Sequence, residues 1–284
     1  MFTIDDEKAK QVLKGFQIPA KPEVLTQIQV EQQKKYPDLN RIAEIISSDI
    51  GLSANVLKAI NSPVFGLGRT VTDIQQSVMM LGVQNVINLV TFHKMRDLLT
   101  GKSSIPLEPF WDSAVETARM MVAALNQLDL KRDCPAEDAY ALGLLHNCGL
   151  AMMATRFNDY NLTLNEANTL PDEEVTEIEE NHYETDHTTV GYFVSTSWNL
   201  PENICTLILR HHDNNFLTDE SVDDSMKDLY GILHIAKNVL NNYHTGENHI
   251  SWHKDKDNIF FHFSLSEHDY EELEADIIDE FEAL

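Results

Sequence analysis

Apolar residues recur along this 284-residue chain at the three- and four-residue spacings of helices that bury one face. Val24, Leu25 and Ile28 follow Pro22, a residue suited to a first helical turn. Leu39, Ile42, Ile45 and Ile46 follow Asp38, which can cap a helix start, and Leu52, Val56, Leu57 and Ile60 form a third stripe. Asn61, Ser62 and Pro63 end that helix, because Asn tolerates left-handed backbone and Pro63 disfavours helix at Ser62. Gly66 and Gly68 supply freedom for a tight reversal, and the neighbouring Phe65 would plug the core. Residues 72–75, TDIQ, have capping-box spacing and open a helix carrying Ile74, Val78 and Leu81. Gly82 interrupts it, and Val83, Val86, Ile87, Val90 and Met95 continue it.

The segment TGKSSIPLEP (100–109) gathers Gly, Ser and Pro and marks a boundary between parts. Beyond it the pattern predicts helices near 110–128, 136–156, 171–180, 185–198, 201–212 and 226–243. Strand signals are few. NIFFHFSL (258–265) alternates, with Ile259, Phe261, Phe263 and Leu265 on one face, and could pair with HISW (249–252) as a small hairpin. Leu273, Ile277 and Phe281 form a single stripe that should dock the last segment on the body. The expectation is an all-α chain in two parts, 1–105 and 106–284, the second ending in an acidic helix.

Composition narrows the function. Hydrophobic residues make up 43% of the chain, enough for one large core or two smaller ones. Apolar runs such as VINLV (86–90) fall far short of the roughly 20 residues of a membrane span, and MFTIDDEKAK at the start has no hydrophobic signal region. Cys134, Cys148 and Cys205 are odd in number and widely spaced, which fits a reducing cytoplasm and no disulfide framework. A formal net charge of −25, from 46 acids against 21 Lys and Arg, repels phosphate backbones, so neither nucleic acid nor membrane is an expected partner. Nine of those acids fall in 266–284 with no Lys or Arg, a solvated helix face. The GLG at 66–68 follows no strand, and there is no phosphate-binding GxxxxGK[ST] loop or GxSxG elbow. Cys148 lies two residues after His146, so on a helix the two face apart and form no nucleophile pair.

Several stretches carry a family resemblance through their order and spacing: IPAKPEVL (18–25), SSDIGLSANVLKAINSPVFG (47–66), MLGVQNVINLV (80–90), FWDSAVETA (110–118), ALGLLHNCG (141–149), DHTTVGYFVSTSWNLPENI (186–204) and the double His at 211–212. Together, over about residues 15–245, they resemble the HDOD family, bacterial signalling modules related to HD-domain metal-dependent phosphohydrolases. The resemblance implies an N-terminal helical subdomain packed on an HD-like helical bundle. In the related phosphohydrolases a cation is held by an early His, a His-Asp pair and a late Asp, with additional His residues in binuclear versions. Here Ser113 stands in the early place, the pair becomes His146-Asn147, and Lys237 occupies the late position.

Ser is a poor ligand, Asn offers only a neutral carbonyl, and an inward Lys237 would set a positive charge where the cation belongs. Lys237 is expected to replace the metal electrostatically in part, bonding Asn147 or a nearby acid. His187, His211 and His212 remain at ligand-like positions, and Ile204, Ile208 and His211 share a helix face that turns His211 inward. The resemblance thus implies a degenerate cleft of Ser113, His146, Asn147, His187, His211, His212 and Lys237, with no catalytic residue, metal or other cofactor. The expected role is a non-catalytic signal-transduction module that binds a separate signalling protein or a small ligand such as a nucleotide. Under the alternative, Fe, Mn, Zn or Mg on His146, His187, His211 and His212 would hydrolyse a nucleotide or cyclic dinucleotide. His93, His182, His234, His244, His249, His253, His262 and His268 show no partner pattern and read as surface or packing residues.

Overall fold

Aspartates set many of the helix starts. The computed structural model describes residues 16, 18–65, 69–128, 130, 134–167 and 169–283. After α1 (Glu23–Gln32), the Asp38 side chain accepts from Asn40 N and Arg41 N to open α2 (Leu39–Ser47). Asp49 accepts from Leu52 N to open α3 (Ile50–Ile60), and Asp73, one residue after the expected Thr72, accepts from Gln76 N to open α4 (Ile74–Leu98). A side-chain oxygen on these orphan amides satisfies donors that the helix itself cannot, worth about 1 kcal/mol each. The expected stripes are buried: Leu25 and Ile28, Ile42, Ile45 and Ile46, then Leu52, Val56 and Ile60.

Asn61 ends α3 by a route other than the one its sequence suggests. Its backbone stays at φ −82, ψ 0, not left-handed. Its side-chain amide donates to Leu57 O (2.8 Å) and Val71 O (2.7 Å), while its Oδ1 accepts from Val71 N (2.7 Å), clamping the reversal to α4. Gly66 and Gly68 lie outside the described residues, and Phe65 is only half-buried. Gly82 breaks α4 as expected, with φ 75 and ψ 161. These helices form one compact unit, Pro19–Leu99.

A second unit comprises Thr100–Ala283 and takes in Ile18. Thr100 to Ile105 group with it, tied by Ser104, whose backbone N–H and hydroxyl both donate to Ala154 O at 2.9 and 3.1 Å. Its helices are α5 (Leu107–Gln127), α6 (Ala136–Leu145), α7 (Cys148–Arg156), α8 (Tyr160–Ala167), α9 (Asp172–Tyr183), α10 (His187–Ser197), α11 (Glu202–Arg210), α12 (Asp224–Thr245), α13 (Trp252–Phe263) and α14 (Glu267–Ala283). The single helix expected over 136–156 is two, because Asn147 leaves helical geometry at φ −101, ψ 15. Two close approaches fix this unit. A Cβ on Gly143 of α6 would lie 2.3 Å from Ala118 Cα of α5, and one on Gly149 of α7 would lie 1.9 Å from His187 O of α10. Only glycine permits backbones to pass so near.

The hairpin expected near 249–265 does not form; residues 252–263 are helix α13, and among the described residues there is no strand. Trp252, Asp255 and Ile259 are buried at helical spacing, whereas Phe261, a member of the alternating set, is 89% exposed. Left-handed Ser264 (φ 58) ends the helix, with Leu265 N donating to Phe260 O at 2.9 Å in a Schellman-like closure. The stripe on α14 docks as expected: Leu273, Ile277 and Phe281 are buried, and the Arg119 guanidinium lies 4.8 Å from the Phe281 ring centre. Among the described residues no helix is long and apolar enough to cross a membrane.

Candidate functional site

The two glycine approaches determine which side chains meet. Because α5 and α6 touch at Ala118 and Gly143, the face of α5 that precedes this contact opens on the α6–α7 break. Phe110, Ser113, Ala114 and Thr117 come from α5 at i, i+3, i+4, i+7, and Lys237, Leu240, Asn241 and His244 from α12 at the same spacing. With His146, Asn147 and Leu150 they line a cavity of about 570 Å³. Four sequence-predicted residues, Ser113, His146, Asn147 and Lys237, therefore share one wall system. Lys237 is half-buried there. Among the described lining residues the only carboxylate is Glu116, 3.3 Å from His244.

His146 is buried, and its Nδ1 donates to Gly143 O at 3.1 Å, which leaves Nε2 with a lone pair. Burial, then the charge of Lys237, push its pKa down to about 3, so the ring is a neutral acceptor. The Oδ1 of Asn147 is also a buried acceptor, with no hydrogen-bond partner.

The other three predicted histidines meet outside this lining. His187 stands at the first turn of α10, whose N-cap Asp186 accepts from Thr189 N at 2.9 Å. Its Nδ1 donates to Glu179 Oε2 at 2.7 Å and its backbone N–H to the same oxygen at 2.8 Å, while the Tyr160 hydroxyl donates to Glu179 Oε1. Burial alone would raise Glu179, but the His187 charge holds its pKa below the usual carboxylate value. Burial would likewise lower His187, yet the Glu179 carboxylate leaves it raised. His187 Nε2 lies 3.4 Å from His211 Nε2 and 3.1 Å from His212 Nε2. His211 Nδ1 donates to Ile208 O at 2.8 Å, and burial, then His212, push its pKa far down. The His146 and His211 rings are 5.4 Å apart between centres, so the four histidines are contiguous.

Sequence reasoning missed Glu179. It sits in an acidic helix, but Val175, Glu179 and Tyr183 recur at i, i+4, i+8, which places one acid on the least exposed face of α9. Besides His244, other histidines without an apparent pattern are also paired with acids. His234 Nδ1 bonds Asp255 at 2.9 Å and its Nε2 bonds His211 O at 3.0 Å, and His262 bonds Asp228 at 2.7 Å.

Comparison with known proteins agrees with the helical fold. An uncharacterized protein of Treponema pallidum (strain Nichols) is 26% identical over 197 residues, covering 69% of this chain. The chain spans only 38% of that relative's length. A Shewanella amazonensis SB2B structure, named as a candidate phosphohydrolase, superposes with a TM-score of 0.68 at 18% identity, over 96% of this chain and 93% of that one. A Marinobacter aquaeolei VT8 structure, named as a candidate signal transduction protein, gives 0.66 at 16% identity, over 98% and 65%. At these identities the likeness is one of fold. The HDOD domain family model matches residues 18–214, most of the sequence. The chain belongs to the HDOD domain family.

Proposed function

We propose that the chain is a non-catalytic regulatory module of cytoplasmic signal transduction, which binds a small organic anion in the α5–α6–α12 cavity and passes its state to a signalling protein partner. One observation carries this reading: Lys237 and Asn147 stand at the cavity wall beside His146. Hydrolysis of HD type needs a cation ringed by imidazoles and carboxylates, able to acidify a bound water. Beside His146 this wall offers the Lys237 ammonium, the Asn147 amide and the Ser113 hydroxyl, and the one acid among the described lining residues, Glu116, lies 3.3 Å from His244. Two unit charges 4 Å apart interact by about 4 kcal/mol at an effective dielectric of about 20, so a divalent cation at that distance from Lys237 would face roughly 8 kcal/mol of repulsion. The same ammonium attracts an anion.

The acceptors narrow the ligand further. His146 Nε2 and Asn147 Oδ1 both lack a proton to give, so a ligand suited to them carries an N–H or O–H donor near its negative group. A nucleotide satisfies this. The formal net charge of −25 argues against nucleic acid as a partner. A second reading, metal-dependent phosphohydrolysis, is favoured by the contiguous histidines and disfavoured because, among the described lining residues, no carboxylate stands beside His146.

Isothermal titration with adenosine and guanosine 5′-monophosphate tests the cavity. Saturable one-to-one binding of one of them is expected, weakened at least tenfold, or by about 1.4 kcal/mol, in Lys237→Met. Equal affinity in wild type and Lys237→Met, or no saturable heat with either probe, would contradict the reading.

A further inference from the structure

We infer that a second cavity, built by the end of α12 with α13 and α14, binds a small organic cation of the aliphatic di- or polyamine class. The inference goes beyond the regulatory reading above and does not depend on it. The lining residues run from 242 to 274, past the stretch 18–214 that the family model matches. They share only His249 with the cavity beside His146.

The cavity measures about 610 Å³, within the range of roughly 300–1,000 Å³ usual for small-molecule sites. Its floor is aromatic and firmly held. Trp252 and Phe260 of α13 pack against Tyr270 of α14, with ring centres 4.8 and 5.3 Å from that of Tyr270. The Tyr270 hydroxyl accepts from Asn238 Nδ2 at 2.9 Å, and Asn238 Oδ1 accepts from His249 N at 2.8 Å. Asn238 is 0% exposed, so this anchor belongs to the core. A floor fixed in advance spares a ligand much of the cost of ordering it.

The acids decide what sits on that floor. Glu267, Glu271 and Glu274 recur at i, i+4, i+7 on one face of α14, and all three line the cavity. Lys256 bonds Glu267, and Asn242 Nδ2 donates to Glu274 Oε1 at 3.0 Å, which sets that carboxylate in place. No other Lys or Arg is among the described lining residues, so Glu271 and Glu274 leave an excess of negative charge. At a rise of 1.5 Å per residue the three acids span about 10 Å of helix. Among the described residues they form no group of three ligand atoms close enough to hold one metal ion. A cation matched to them is therefore extended, with ammonium ends on separated carboxylates and a hydrocarbon spacer along the rings. A neutral apolar ligand would leave the carboxylates unmatched, and a compact inorganic ion would gain nothing from the rings.

Spermidine and 1,5-diaminopentane are the probes, titrated calorimetrically into the full chain at about 0.15 M salt, where long-range surface attraction is screened. Saturable one-to-one binding is expected, with neither 1,5-pentanediol nor magnesium competing. Glu271→Gln should weaken it at least tenfold. Glu272→Gln removes the same charge from the same helix, at an exposed position outside the cavity, and should leave affinity unchanged. Of the three tryptophans only Trp252 lines this cavity, so a fluorescence change on spermidine addition should vanish in Trp252→Phe. No saturable binding of either amine would overturn the inference. Equal weakening by Glu271→Gln and Glu272→Gln would do so too, by reducing the effect to the field of an acidic surface. Competition by pentanediol or by magnesium would overturn it as well. None of these outcomes bears on nucleotide binding beside His146.

Discussion

Gly149→Ala should destabilise the second unit by more than about 3 kcal/mol. A methyl group there would meet His187 O at 1.9 Å, His187 C at 2.8 Å and Gly191 N at 2.8 Å. All three are backbone atoms of α10, so no side chain can swing aside, and relief requires α7 and α10 to separate. Overpacking a core costs 1–3 kcal/mol when side chains can adjust, and more when they cannot. The displaced residue is His187, so the same change would pull its ring away from His211 and His212. In a unit of this size each 1 kcal/mol lowers Tm by about 2–4 °C, which puts the expected drop at about 6 °C or more by calorimetry. Gly51→Ala in α3 is the contrast. Its Cβ would find only Asp49 Oδ1 at 3.5 Å, and alanine is the better helix former, so a change between zero and about 1 kcal/mol of stabilisation is expected. Equal, near-zero effects at the two glycines would show that the α7–α10 approach is not as described.

Glu179→Ala should cost about 3–5 kcal/mol in urea unfolding. The carboxylate collects three donors, the Tyr160 hydroxyl and the His187 backbone and Nδ1 N–H groups, in a place with no exposure to water. Its removal strands all three, and a buried donor left unmatched costs about 1–3 kcal/mol. Glu179→Gln should recover only part of the loss, because its amide presents a second donor where an acceptor is required. An intact pair is weak evidence of net stabilisation, since burying both charges is itself costly; a broken pair is what reveals it. A loss below about 1 kcal/mol for Glu179→Ala would mean that the pair is hydrated in solution.

What was legible in the sequence followed from local rules. Stripes such as Ile42, Ile45 and Ile46 identify their helices because a 3.6-residue period leaves little choice of face. Asp38 reads as a cap because its chemistry acts within three residues. Failures came where tertiary packing decides. Phe261 completed an alternating strand pattern, yet Trp252 and Ile259 are the residues that pack, and the helix turns Phe261 outward. Thr72 and Asp73 both suit a cap, and only the structure tells which side chain meets the amide. Of the candidate site, Ser113, His146, Asn147, His187, His211, His212 and Lys237 came from the family resemblance of the motifs that carry them. Glu179 was hidden by the acids around it, and the Asp255 and Asp228 partners of His234 and His262 lie 21 and 34 residues away, beyond any local pattern.

On the proposed reading, the cavity beside His146 recognises a ligand without hydrolysing it. The direct measurement is turnover of cyclic dinucleotides and bis-p-nitrophenyl phosphate by protein loaded in turn with iron, manganese, zinc and magnesium. No rate above that of the free metal is expected with any of them. Multiple turnover in wild type that vanishes in His146→Ala would contradict it.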